Sequence, residues 1–122
     1  ECRFIKEKYF PSLPAIHADG AGSSTLIYGP AIDNWKSVDI VTQEVSLLCD
    51  GKLLRSGSAK EALEHPMIPL TWLTNELSRT KIGLKAGQLI STGTMTGMLK
   101  PRAGQVYHAD FGPFGTVSLK IN

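Results

Sequence analysis

The stretch "VDIVTQEVSLLCDGKLLRSGSA", residues 38–59, constrains the fold more than any other part of the chain. Val41, Gln43, Val45 and Leu47 set up a period of two, the mark of a half-buried strand. Asp50-Gly51 then interrupts it. A two-residue hairpin turn of this kind needs positive φ at both positions, which Asp tolerates and Gly adopts freely. Residues 52–57 read as the return strand. A lone hairpin is barely stable in water, so the rest of the chain has to cover one of its faces.

Further alternation appears in "QVYHADF" (105–111), where Val106, His108 and Asp110 oppose Tyr107, Ala109 and Phe111, and again in "TVSLKIN" (116–122) after the turn "GPFG". Shorter apolar runs at residues 25–29 ("TLIYG") and 88–91 read as a short buried strand and a strand. Residues 15–18 read as a short helix or turn. Between residues 61 and 80 the period lengthens. Ile68, Trp72, Leu73, Glu76 and Leu77 follow helical spacing and Leu70 extends the apolar face. That helix is expected to start near Pro66, to end by Gly83 and to pack on a sheet. The sum is an α+β fold, a mixed or barrel-like sheet with one main packed helix, and a single domain over residues 1–122.

An apolar fraction of 42% with 20% charged residues suits a globular chain and not a disordered one. A net charge of +2, with the basic residues scattered, argues against nucleic acid as a partner. No apolar run approaches the roughly 20 residues that span a bilayer, so no membrane partner is expected. Cys2 and Cys49, far apart and alone, make neither a disulfide framework nor a zinc site and fit a cytoplasmic setting. Opening on "ECRFIKEKYF" rather than on Met reads as entering a fold midway, so the chain is expected to be part of a larger catalytic domain.

Two loops combine glycines with hydroxyls: "ADGAGSS" (18–24) and "STGTMTG" (91–97). Neither has the Gly-Lys-Ser/Thr of a phosphate loop or a GxGxxG that opens a helix. Both read as turns with satisfied hydroxyls. The functional alternative is a cradle for a small anion or carbonyl, in which Ser23, Ser24, Thr92 and Thr94 donate hydrogen bonds and Asp19 acts as a base or orienting group. His17 stands two residues before Asp19, a metal-pair spacing that lacks a third ligand. His65 reads as a residue at the helix start, and His108 as a partly buried structural residue in a strand. Trp35 and Trp72 read as packing residues. No nucleophile elbow G-x-S-x-G occurs.

Three blocks in register, "SLPAIHADGAGSSTLIYG", "WLTNELSRTKIGLKAGQLISTGTMTG" and "AGQVYHADFGPFGTVSLKIN", resemble the C-terminal half of the 2-keto-4-pentenoate hydratases and their relatives. This is the hydratase/decarboxylase branch of the fumarylacetoacetate hydrolase superfamily. The resemblance implies a mixed β-sheet roll or distorted barrel. It also implies a cytoplasmic, homo-oligomeric lyase of aromatic-compound catabolism that adds water to a 2-hydroxy-dienoate or 2-oxo-enoate. Its chemistry would pass through an enolate stabilised by Mg²⁺ or Mn²⁺. A 2-oxo acid decarboxylase, an acylpyruvate-type carbon–carbon hydrolase, or a non-catalytic binding domain of the same fold are the alternatives.

Carried onto this sequence, the resemblance makes "STGTMTG" the substrate loop. Thr94 would donate its hydroxyl and Gly93 would admit close backbone approach, with Thr92 alongside. It gives Asp19 the catalytic role and places Ser23, or else Ser24, in the pocket. Gly20 stands where relatives often carry Asn. The family's metal carboxylates include a Glu-x-Glu pair, which this chain lacks. Glu1 matches the acid of a neighbouring stretch better than a ligand, so no metal ligand is assigned here and the ligands are expected upstream of Glu1.

Overall fold

The computed structural model describes residues 12–18, 20–23 and 25–122. Four strands form one sheet: β1 (Glu44–Cys49), β2 (Lys52–Ser58), β3 (Val106–Asp110) and β4 (Thr116–Lys120). Their order is β2-β1-β3-β4 and every neighbouring pair is antiparallel, where a mixed sheet was expected.

The hairpin forms as its turn chemistry requires. Asp50 and Gly51 have φ of 48° and 78°, and Cys49 faces Lys52 across the turn. Asp50 also does something its turn role does not announce. Its amide donates to the Val106 carbonyl at 2.9 Å, and its Oδ1 accepts from the Val106 amide at 2.9 Å. One residue thus closes the hairpin and pins it to the start of β3. A register shift between Leu47 and Leu48 adds Leu54 as an extra residue in β2.

Directly paired residues share a face of the sheet. Val45 faces Gly57, Leu47 faces Arg55 and Ala109, and Cys49 faces Tyr107. This face carries the small core: Val45 (4% exposed), Tyr107 (8%) and, from the turn after β2, Ala59 and Ala62. Tyr107 reaches the interior with its hydroxyl satisfied, donating to Gln105 Oε1 at 2.7 Å. On the other face His108 is half-buried and lies 2.7 Å from Ser118 Oγ through Nδ1, the structural role expected of it.

Strand β1 begins at Glu44, later than the alternation from Val41 suggested. The cause is Asp39. Its carboxylate accepts from the Thr42 hydroxyl at 2.8 Å and from the Val41 amide at 3.0 Å, which holds residues 40–42 in a turn. The same two bonds hold its carboxyl below the usual carboxylate range, Thr42 contributing most.

Two expected strands do not form. Residues 25–29 run extended without a ladder, leaving Leu26 and Tyr28 60% and 68% exposed rather than buried. Residues 88–91 are also outside the sheet; Gln88 instead closes a turn with Lys85 through its amide and Oε1. Strand-like residues become a strand only where the fold lays them along a partner strand.

Helix α1 (Leu13–Ala18) is short, and α2 (Met67–Ser78) is the main helix. Pro66 precedes α2 as its N-cap, and His65 stands at its start, Nδ1 accepting from the Met67 amide at 3.0 Å. Leu70, Leu73 and Leu77 form its half-buried side. Ile68 and Trp72 point outward, 50% and 64% exposed, so Trp72 is not the packing residue expected. Trp35 is likewise exposed, under the Lys36 ammonium 5.5 Å from its ring centre. No helix among the described residues is long and apolar enough to cross a membrane.

Candidate functional site

A polar concavity lies where the loop 91–98 crosses the end of β2. It is an open cleft of about 440 Å³. Ser56 and Gly57 supply one wall from β2, Glu61 another from the turn Ala59–Glu61, and Thr94, Met95, Thr96 and Gly97 come from the loop.

Local chemistry explains why the loop rests there. Gly57 faces the Met95 carbonyl so closely that a Cβ would overlap its oxygen. Gly93, at the left-handed φ of 138°, passes close to Ala62: a Cβ would come 3.3 Å from the Ala62 Cβ, a tight contact. Arg55 fastens the far side. Its Nη1 donates to the carbonyls of Thr96 at 3.2 Å and Met98 at 2.9 Å, and Gly97 at φ 72° lies against the same nitrogen. Two glycines let backbone approach backbone, and one guanidinium ties off the carbonyls.

Of the residues singled out from sequence, Thr94 lines the cleft and is exposed. Thr92, half-buried, and Gly93 lead into it along the chain. Ser23 is in the turn after α1, its amide donating to the Gly20 carbonyl at 3.0 Å, and is not part of the cleft wall. Asp19 and Ser24 lie outside the described residues, as does Glu1. His17 is exposed, with Nδ1 2.8 Å from the Leu13 carbonyl.

Sequence reading missed Ser56, Glu61 and Arg55. One signal was available for them: Gly57 in the interior of a strand, a place where glycine marks close approach by another backbone. Nothing in the sequence near Glu61 marks it as facing the hydroxyl loop.

Among the described residues, no three His, Cys, Asp or Glu side chains gather as a metal-binding group. The cleft offers hydroxyls, main-chain groups and a single carboxylate. These residues by themselves do not fit a divalent cation.

No family model matches the chain. Among curated proteins, it is 28% identical over 104 residues to 2-oxo-hept-4-ene-1,7-dioate hydratase of Escherichia coli, an alignment covering 85% of this chain and 39% of that protein. It is 27% identical over 105 residues to 2-keto-4-pentenoate hydratase of Paraburkholderia phymatum, covering 86% and 40%. Against 4-oxalocrotonate decarboxylase of Pseudomonas putida it is 27% identical over 115 residues, covering 94% and 44%. A solved structure of 4-oxalocrotonate decarboxylase from Pseudomonas putida G7, complexed with magnesium and adipate, superposes with a TM-score of 0.80 at 26% identity, over 88% of this chain and 41% of that one. The resemblance carried by the three sequence blocks is thus found in sequence and in structure. The chain spans about two-fifths of the length of the curated relatives it matches.

Proposed function

We propose that this chain is part of a hydro-lyase acting on a small 2-oxo acid, and that the cleft beside β2 receives the oxo acid end of the substrate. The observation that carries this reading is the Thr94 loop. Gly57, Gly93 and Arg55 fix it as a hydroxyl-lined wall, in a chain similar along most of its length to hydratases and a decarboxylase.

In this reading the Thr94 hydroxyl donates to a carboxylate or enolate oxygen, and the Thr96 hydroxyl, on the same wall, is a second donor. The donors are held before substrate arrives, so little reorganisation is needed as charge develops. Ser23, Ser24 and Thr92 are assigned to substrate binding with Thr94 and Gly93, and Asp19 to proton transfer. A divalent cation, magnesium or manganese, would supply Lewis-acid stabilisation of the enolate, as the magnesium in the neighbouring structure suggests. The described residues do not hold one, and no step is derived through it.

For the whole enzyme we propose a cytoplasmic homo-oligomer built on the roll or distorted barrel of the fumarylacetoacetate hydrolase type. It would hydrate a 2-hydroxy-dienoate. A decarboxylase on the same scaffold is the second reading, favoured by the structural match to 4-oxalocrotonate decarboxylase.

Turnover of 2-hydroxypenta-2,4-dienoate by the whole enzyme with Mg²⁺ tests the activity; consumption with release of CO₂ from a 2-oxo dioate would select the second reading. Thr94→Ala tests the cleft. It is expected to weaken 2-oxo acid binding by about 1–3 kcal/mol, the scale of a hydrogen bond to a charged group. Thr94→Ser should be much milder. Equal affinity of Thr94→Ala and the parent protein would remove the cleft from consideration.

A further inference from the structure

The cleft has one acidic wall, and a cation from another element stands behind its loop. Glu61 is the one acidic side chain lining it among the described residues. Arg55 reaches the loop from β2 and places its guanidinium against the Thr96, Gly97 and Met98 backbone. These two groups do not neutralise each other by direct contact. The ion pair found among the described residues is Arg79–Glu76 on α2.

A ligand with one carboxylate can set it on the loop wall, near the Thr94 and Thr96 hydroxyls and the Arg55 charge. Its remaining atoms then meet Glu61, Ser56 and Gly57. An uncharged tail is neutral toward that wall, and a hydroxyl on it has Glu61 as an acceptor. A second carboxylate is different. Glu61 stands on the wall it has to pass, and like charges brought together there repel. The similar proteins include both a dioate hydratase and a 2-keto-4-pentenoate hydratase.

We propose that this cleft selects 2-oxo acids with a single carboxylate and an uncharged tail, and that Glu61 is the residue that rejects a second carboxylate. The inference rests on the reading of the cleft as a 2-oxo acid site.

The test is calorimetric titration of the whole enzyme in the presence of Mg²⁺ with 2-oxopentanoate and with 2-oxoadipate at low ionic strength, for the parent and for Glu61→Gln. The parent is expected to favour 2-oxopentanoate by roughly fivefold or more, the low end for like charges in a solvent-wetted cleft. Glu61→Gln, isosteric and at an exposed position, should bring the two acids within about twofold, and added salt should narrow the gap in the parent. A ratio left unchanged by Glu61→Gln, or a parent that prefers 2-oxoadipate, overturns the proposal while leaving the cleft as an oxo acid site. Binding of neither acid by the folded whole enzyme overturns both.

Discussion

Gly57 and Asp39 show how much one residue decides. At Gly57 the missing Cβ is the space that the Met95 carbonyl occupies. Gly57→Ala must push the loop off β2, and overpacking of this kind typically costs about 1–3 kcal/mol. Chemical denaturation is expected to show that loss together with weakened oxo acid binding; an alanine variant of parental stability would mean that the loop yields freely. Asp39 acts through hydrogen bonds rather than space. Because its folded carboxyl titrates below the ordinary range, its contribution to stability is present above the unfolded Asp value, about 3.9, and is lost as pH falls through the lowered folded value. Asp39→Asn should remove that part of the acid dependence. The expected effect is small, since the group is exposed, and thermal melts of both proteins from neutral pH downward measure it.

At the scale of elements, what could be read from sequence was what neighbours along the chain decide. The Asp50-Gly51 turn, β3, β4 and the start of α2 beside Pro66 follow from local spacing and turn chemistry, and all are present. Residues 25–29 and 88–91 carry strand-like composition but end outside the sheet, because strand formation needs a partner that composition does not reveal. The site divided in the same way. Thr94 was legible as a motif, whereas Arg55 reaches the Thr96 carbonyl from a residue separated by 41 positions. The hairpin offers a clean check. A Cβ at Gly51 meets nothing within 4 Å, so Gly51→Val loses only conformational freedom, about 1–2 kcal/mol for a left-handed residue. The melting point should fall and binding by the folded fraction should not change. A selective loss of binding would connect the turn to the cleft.

Across the whole molecule, apolar surface outweighs core. Val45, Ala59, Ala62, Pro66 and Tyr107 are the buried apolar side chains among the described residues, while Leu26, Tyr28, Ile68 and Trp72 are half or more exposed. Among the described residues, β2 and β4 also have no partner strand on the outer edges of the sheet. The 122-residue chain on its own is therefore expected to self-associate, with sedimentation as the measurement. A monomer that melts sharply would show that this small core suffices. The bonds between Asp50 and Val106 have a further consequence, for folding speed. They join residues 56 positions apart, so two hairpins that can each close in microseconds must wait for a long segment to bring them together. Lengthening that segment is cheap at equilibrium, since doubling a loop costs only about 0.6 kcal/mol in chain entropy. The stretch that carries Glu61 and Thr94 can thus be lengthened or exchanged over evolutionary time while the paired hairpins stay as they are.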